Sequence, residues 1–194
     1  RSLLVTGVQT CALPICVEKK GDLTPLEHQI SNIISELAKD NKELENLKIT
    51  GVKEVQIEGI NVRIIEVPYK QIAAYKKIQV TLIPELEKKL DNSQVVIVAK
   101  RRAFPKTPES GRRYQAIRGV KRTLKNVQEA LLDDVVYPTA IVAKRVHFGK
   151  NGKQTTYVTL DANDKTRVED RLKTFAAAYG KLTGLKTVFE IAAN

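Results

Sequence analysis

The sequence predicts an α+β or mixed α/β fold: two hairpin–helix–strand units with a mixed sheet packed by amphipathic helices, joined by a basic loop and a helix. Three observations lead to this prediction. Stretches with strand periodicity alternate with helical apolar stripes. The run 95–99 is wholly apolar, as is typical of a buried strand. The order hairpin, helix, strand occurs over 48–99 and again over 140–191, without a residue-level repeat.

Residues 1–16 do not fit this plan. The stretch from Val5 to Ile15 resembles one reading frame of a common sequencing-library adapter, and the chain contains no methionine. We therefore expect residues 1–16 to be non-native and residues 17–194 to form a single domain. The only two cysteines, Cys11 and Cys16, have the spacing of neither a disulfide framework nor a metal site.

The first predicted helix begins at Thr24, which can form a capping box with Glu27. Apolar residues from Leu26 to Leu37 follow at spacings of four, three, one and three, which places them on one helical face. Residues 48–67 then predict a β-hairpin that turns at 58–61.

Pro68 is predicted to open the second helix, whose apolar stripe runs from Ile72 to Leu90. Pro84 lies inside this stripe and predicts a kink or a split, because its ring clashes with the carbonyl four residues back. The apolar run 95–99 follows. A strand–helix–strand crossover should make it parallel to residues 62–67.

The third predicted helix has its apolar face at Val127, Leu131 and Leu132 or Val135, and it ends at Pro138. A second hairpin follows. Its strands are 141–148 and 155–160, and its turn is 149–152.

The last predicted helix is capped by Asp161 and Asp164. Its apolar stripe runs from Val168 through Leu172 to Leu182 at spacings of four, three, four and three, and Gly184 ends it. Residues 186–191 form the final predicted strand.

Nearly all the net charge lies between Lys100 and Lys125. This segment has ten basic residues and one acid, Glu109, so it carries +9 of the chain's +11. Its prolines and glycines prevent one long helix. A polyanion would relieve the repulsion among the cations and gain entropy from released counterions, which favours nucleic acid. The alternatives are a solvated loop or a localisation signal.

Nothing in the sequence predicts an active site. His28 and His147 are the only histidines; His28 falls on a helix surface, and His147 falls in a strand, where we expect a half-buried structural side chain. Asp133-Asp134 is expected to mark a solvated helix end. The loop 149–153 lacks phosphate-loop spacing. No run of about 20 apolar residues exists to cross a membrane.

The arginines of the basic segment can each present a bidentate fork to phosphate. Phe104 and Tyr114 lie among the cations and can stack on a base; Phe104 can equally anchor the loop to the core. The chain is only 5% aromatic and lacks the aromatic pattern of an RNA-binding sheet. Binding to backbone and shape is therefore expected over sequence readout.

Seven ordered blocks of the sequence are distinctive together. They are Lys76–Val80, Glu85–Lys89, Val96–Arg102, Arg122–Leu124, Leu132–Pro138, Ile141–Arg145 and Tyr179–Gly184. Over about residues 22–191 they resemble the eukaryotic small-subunit ribosomal protein S-seven-e family.

This resemblance implies a structural protein of the cytoplasmic 40S subunit that is not an enzyme. It implies binding to 18S ribosomal RNA and to neighbouring small-subunit ribosomal proteins. It also implies contact with assembly factors, and a part in rRNA processing, during a nucleolar stage of biogenesis. No cofactor, metal, membrane or small-molecule substrate is expected. The alternative is a basic RNA chaperone or assembly factor outside the mature ribosome.

The resemblance carries over Lys100, Arg101, Arg102 and Arg122 as RNA-facing residues. Other candidates lie in the basic loop 100–122 and in the second hairpin. The further RNA-binding candidates are Lys106, Arg112, Arg113, Tyr114, Arg118, Lys121, Lys144 and Arg145.

Overall fold

The computed structural model describes residues 24–40, 44, 47–57, 59–90, 93–103 and 120–192. The adapter-like residues 1–16 lie outside this part of the chain. The helices are α1 (Pro25–Asp40), α2 (Ile72–Lys89), α3 (Leu124–Val136), α4 (Lys165–Val168) and α5 (Leu172–Thr183). The strands are β1 (Gly51–Ile57), β2 (Ile60–Pro68), β3 (Gln94–Lys100), β4 (Ile141–Phe148), β5 (Gln154–Leu160) and β6 (Lys186–Ile191).

The predicted capping box begins α1. The backbone N–H of Thr24 donates to the Glu27 carboxylate at 2.8 Å, and the N–H of Glu27 donates to the Thr24 hydroxyl at 3.4 Å. The predicted apolar face is buried through Ile30, Ile34 and Leu37.

The first unit forms a mixed sheet with strand order β1-β2-β3. β1 and β2 are antiparallel, whereas β2 and β3 are parallel, with Pro68 opposite Lys100. The crossover prediction is confirmed. The predicted turn was too wide, because Ile57 already pairs with Ile60, and Gly59 takes the positive φ of 88° that so tight a turn needs.

The structure differs from the predictions for the two prolines of this unit. Pro68 ends β2 instead of opening α2, which begins at Ile72 after a 3₁₀ turn. Pro84 lies inside one continuous α-helix, so the predicted split does not occur. Leu82 and Leu86, on either side of Pro84, are buried in the same core, and this packing supports the helix across the missing hydrogen bond.

The second unit repeats the topology in a separate sheet with order β4-β5-β6. β4 and β5 form the predicted antiparallel hairpin, and β6 is parallel to β5. The expected single helix is divided. Asp161 caps a 3₁₀ turn, accepting from the N–H of Asn163 at 3.3 Å, and α4 and a second 3₁₀ turn precede α5. Gly184 ends α5 with φ 73°, as predicted.

Two apolar cores share the first sheet. On β3, Val95 and Ile97 face the core formed with α1 and α2, whereas Val96 and Val98 face the core formed with α3, α5 and the second sheet. This alternation explains why the run is apolar at every position: β3 is buried on both faces.

Candidate nucleic-acid interface

The candidate site lies at the carboxyl ends of β2 and β3. These two parallel strands end level with each other, so Tyr69, directly after β2, lies near Arg101 and Arg102, directly after β3. The chain returns to this place at the 3₁₀ turn Val120–Arg122, before α3. A cavity of about 630 Å³ lies between these segments.

The residues that line this cavity include basic, aromatic and apolar side chains. Its basic lining residues are Lys100, Arg101, Arg102 and Arg122. Tyr69 also lines it, and α3 contributes Asn126, Val127 and Ala130. We call this feature the basic cavity. Of the cations, Lys100, Arg102 and Arg122 are exposed. The fold thus joins two ends of the basic segment that are some twenty residues apart in sequence.

The Arg101 guanidinium is largely buried and is bound to a carboxylate of α3. It donates from Nη1 to Oδ2 of Asp134, and only 13% of its side chain is exposed. Oδ2 also accepts from the N–H of Ala99 at 3.3 Å, and the Lys76 ammonium lies 3.0 Å from Oδ1. Arg101 therefore has a structural partner that the sequence prediction did not foresee.

The expectation that Asp134 is solvated was wrong, since its side chain is 1% exposed. Its neighbour Asp133 is exposed, as predicted. The spacing carried a signal for this difference: 127, 131 and 134 are separated by four and three, so Asp134 lies on the apolar face of α3. A carboxylate on such a face needs cationic partners, and Lys76 and Arg101 supply them.

Tyr69 was not among the predicted site residues. It is 57% exposed, and the Arg101 guanidinium carbon lies 5.5 Å from its ring centroid, within the range of a cation–π contact. The available signal was its position after Pro68 at the end of a predicted parallel strand, where binding sites of such sheets tend to lie.

The first turn of α3 adds a positive electrostatic potential, which favours a bound anion. Thr123 caps the helix and accepts from the N–H of Asn126 at 3.5 Å, while Asn126 Nδ2 donates to the Val120 carbonyl at 2.7 Å. These bonds tie the 3₁₀ turn that carries Arg122 to the helix. Because Arg122 and Asn126 both line the basic cavity, the positive end of the helix dipole lies beside it.

The two hairpin candidates do not share one surface. Lys144 pairs with Glu129 of α3 at 3.5 Å. Arg145, the next residue of β4, projects to the opposite face of the sheet, where Tyr157 lies across from it. His147 is exposed, so the expectation of a half-buried histidine was wrong.

Five predicted candidates lie outside the described residues, namely Lys106, Arg112, Arg113, Tyr114 and Arg118. Lys121 lies in the 3₁₀ turn, but its side chain is not described. Within the described ranges, no group of three or more metal-ligating side chains comes together. No helix in that part of the chain has the length and apolarity needed to cross a bilayer.

A family model described as Ribosomal protein S7e matches residues 15–191. The chain is 38% identical over 179 residues to Small ribosomal subunit protein eS7 of Anopheles gambiae, an alignment that covers 90% of this chain and 93% of that protein. It is 38% identical over 178 residues to Small ribosomal subunit protein eS7z of Arabidopsis thaliana, covering 89% and 92%.

Small ribosomal subunit protein eS7A of Saccharomyces cerevisiae is 36% identical over 173 residues, covering 87% of this chain and 90% of that protein. The resemblance expected from the seven sequence blocks is confirmed. Because the family model matches most of the chain and each relative is covered nearly end to end, the chain belongs to the ribosomal protein S7e family.

Proposed function

We propose that this protein is a structural constituent of the small ribosomal subunit and that its basic cavity binds 18S ribosomal RNA. Its family and its relatives' names support the ribosomal role, and the role is structural, not enzymatic. The observation that carries the RNA-binding proposal is the convergence of Lys100, Arg102 and Arg122 on one cavity.

Lys100, Arg102 and Arg122 bring three exposed positive charges to one cavity, and each raises the electrostatic potential at the others. An RNA backbone relieves this repulsion, and counterions released from the phosphates add favourable entropy. Arg101 contributes differently. Its guanidinium holds the end of β3 to α3 through Asp134. This contact fixes the position of the backbone that carries the neighbouring residues Lys100 and Arg102.

The proposed setting is the cytoplasmic 40S subunit, beside neighbouring small-subunit proteins. We extend the proposal to a nucleolar stage, in which the same surface meets pre-ribosomal RNA and assembly factors during subunit assembly and rRNA processing. The alternative is an RNA chaperone or assembly factor outside the mature ribosome. Co-sedimentation with mature 40S subunits after a high-salt wash separates the two, because a transient factor would be lost.

The cavity itself is tested by replacing Lys100, Arg102 and Arg122 with alanine. The control replaces three exposed lysines that do not line the cavity, Lys88, Lys165 and Lys181, so that the change in net charge is the same. We expect the cavity variant to bind duplex RNA more weakly and to enter 40S subunits poorly. The control should retain both properties.

Salt dependence makes the comparison quantitative. Three lost phosphate contacts should reduce the slope of log affinity against log salt by about 2–3, taking the duplex-DNA coefficient as a guide. A cavity variant that keeps the wild-type slope and still enters 40S subunits would refute the proposed surface. Equal losses in both variants would show that only net charge matters.

A further inference from the structure

We propose that the basic cavity binds a single unpaired nucleotide of RNA, with its base stacked on Tyr69 and its phosphate among Lys100, Arg102 and Arg122. The inference rests on the proposed function and makes it more specific. Phosphate binding alone needs only an open basic surface. A cavity with an exposed aromatic ring beside its cations is suited to a base as well.

The ring of Tyr69 is held in place by a chain of contacts. Arg101 lies against the ring at 5.5 Å, and Asp134 fixes the Arg101 guanidinium. Asp134 is itself held by the Ala99 N–H and by Lys76. Because the phenol is still more than half exposed, a base can stack on the ring without first ordering it.

The size and the walls of the cavity also favour a nucleotide over a bare phosphate. Its volume of about 630 Å³ lies within the range of roughly 300–1,000 Å³ that is usual for small-ligand sites. Val127 and Ala130 contribute apolar side chains to its lining. Such side chains gain nothing from a phosphate but can cover the edge of a base.

An acidic protein segment is the other polyanion that these cations could attract. It would neutralise the cations, but a carboxylate cannot stack on the exposed ring of Tyr69 as a base can. An unpaired nucleotide uses both features, and single-stranded positions are where proteins usually stack RNA bases. We therefore commit to RNA and use the acidic segment as an outcome of the test.

The test uses the purified full chain and two RNAs, a duplex and the same duplex carrying a one-nucleotide bulge. We expect tighter binding to the bulged RNA. Tyr69→Ala should remove that preference: the ratio of affinities for the bulged and the plain duplex should fall by roughly 5- to 150-fold, the size expected for the loss of one base–aromatic stack. Tyr69→Phe should retain the preference. Tyr157→Ala, at another exposed tyrosine, is the matched control.

A photoreactive 4-thiouridine placed at the bulge gives a second measurement that needs no variant. Its crosslinks should map by mass spectrometry to Tyr69 or to the residues that line the basic cavity. Crosslinks confined to other parts of the chain would overturn the inference.

The failures of the two proposals are distinguishable. Normal duplex binding with no bulge preference, or a preference that survives Tyr69→Ala, overturns the nucleotide site and leaves the RNA surface standing. No binding to either RNA overturns both. Displacement of bulged RNA by polyglutamate, with the same sensitivity to Tyr69→Ala, would assign the cavity to an acidic protein segment and overturn the inference.

Discussion

Replacing Asp134 with alanine should destabilise the isolated chain by about 3–5 kcal/mol, the usual cost of removing one partner of a buried ion pair. The carboxylate is 1% exposed and lies between α3 and the end of β3. Its removal leaves the Arg101 guanidinium, 13% exposed, without a counter-charge. Lys76 is 31% exposed and can turn towards water, so it adds little.

The magnitude has two main parts. The Ala99 N–H, in a strand buried on both faces, loses its acceptor, which costs roughly 1–3 kcal/mol. The rest of the loss in stability comes from leaving the largely buried Arg101 guanidinium without a counter-charge. Asp134→Asn keeps an acceptor for Ala99 but removes the charge. We therefore expect it to fall between the wild type and Asp134→Ala.

The assay is urea unfolding of the isolated chain, followed by circular dichroism. Asp133→Ala is the matched control, because it removes the same charge from the adjacent, exposed position and should change stability by no more than about 0.5 kcal/mol. Equal losses in the Asp133 and Asp134 variants would refute the reasoning, since they would show that the carboxylate contributes no specific contact.

Three further predictions follow from other parts of the molecule. Burial raises the pKa of the Tyr75 phenol, so the folded chain holds this proton more tightly than the unfolded chain, and the free energy of unfolding should fall as pH rises above about 10. Tyr75→Phe should flatten that fall in urea titrations at alkaline pH. A variant with the wild-type pH profile would contradict this prediction. The buried Phe175 ring packs edge-to-face against Phe189, with 6.0 Å between the ring centroids, and Phe175→Ala should lower the free energy of unfolding by about 3–5 kcal/mol. Leu172→Ala, at a half-buried position, should lower it less. The reverse order in denaturant unfolding would show that the apolar face of α5 is misassigned. Replacing Arg112, Arg113 and Arg118 of the basic loop with alanine should flatten the dependence of RNA affinity on salt without changing the unfolding midpoint. A triple variant with the wild-type slope would show that the RNA contacts lie elsewhere.

The elements that periodicity and end signals define were predictable from the sequence. Thr24 and Glu27 form the expected cap, and the run 95–99 forms the expected parallel strand, because each depends on neighbours in sequence or on burial alone. Pro84 shows the limit of such rules. Local chemistry predicts a break, but the buried side chains around the proline hold the helix together.

The candidate site was only partly predictable, because its geometry depends on contacts between distant segments. The concentration of charge identified Lys100, Arg102 and Arg122 without showing that they share a cavity. The internal role of Arg101 depends on Asp134, 33 residues away, and composition does not encode that pairing. Tyr69 lies outside the basic segment, at the end of a different strand, so the concentration of charge does not identify it.

The double burial of β3 has a consequence for how the protein is made. Translation delivers β2 and β3 before α3, α5 and β6, which cover the second face of the first sheet. While those elements are still inside the synthesising ribosome, the four valines and isoleucines of that face, Val62, Ile64, Val96 and Val98, are exposed to water. A nascent chain that stalls before residue 124 would thus present an apolar sheet face prone to aggregation, and we expect it to need a holding chaperone until its carboxyl-terminal half emerges.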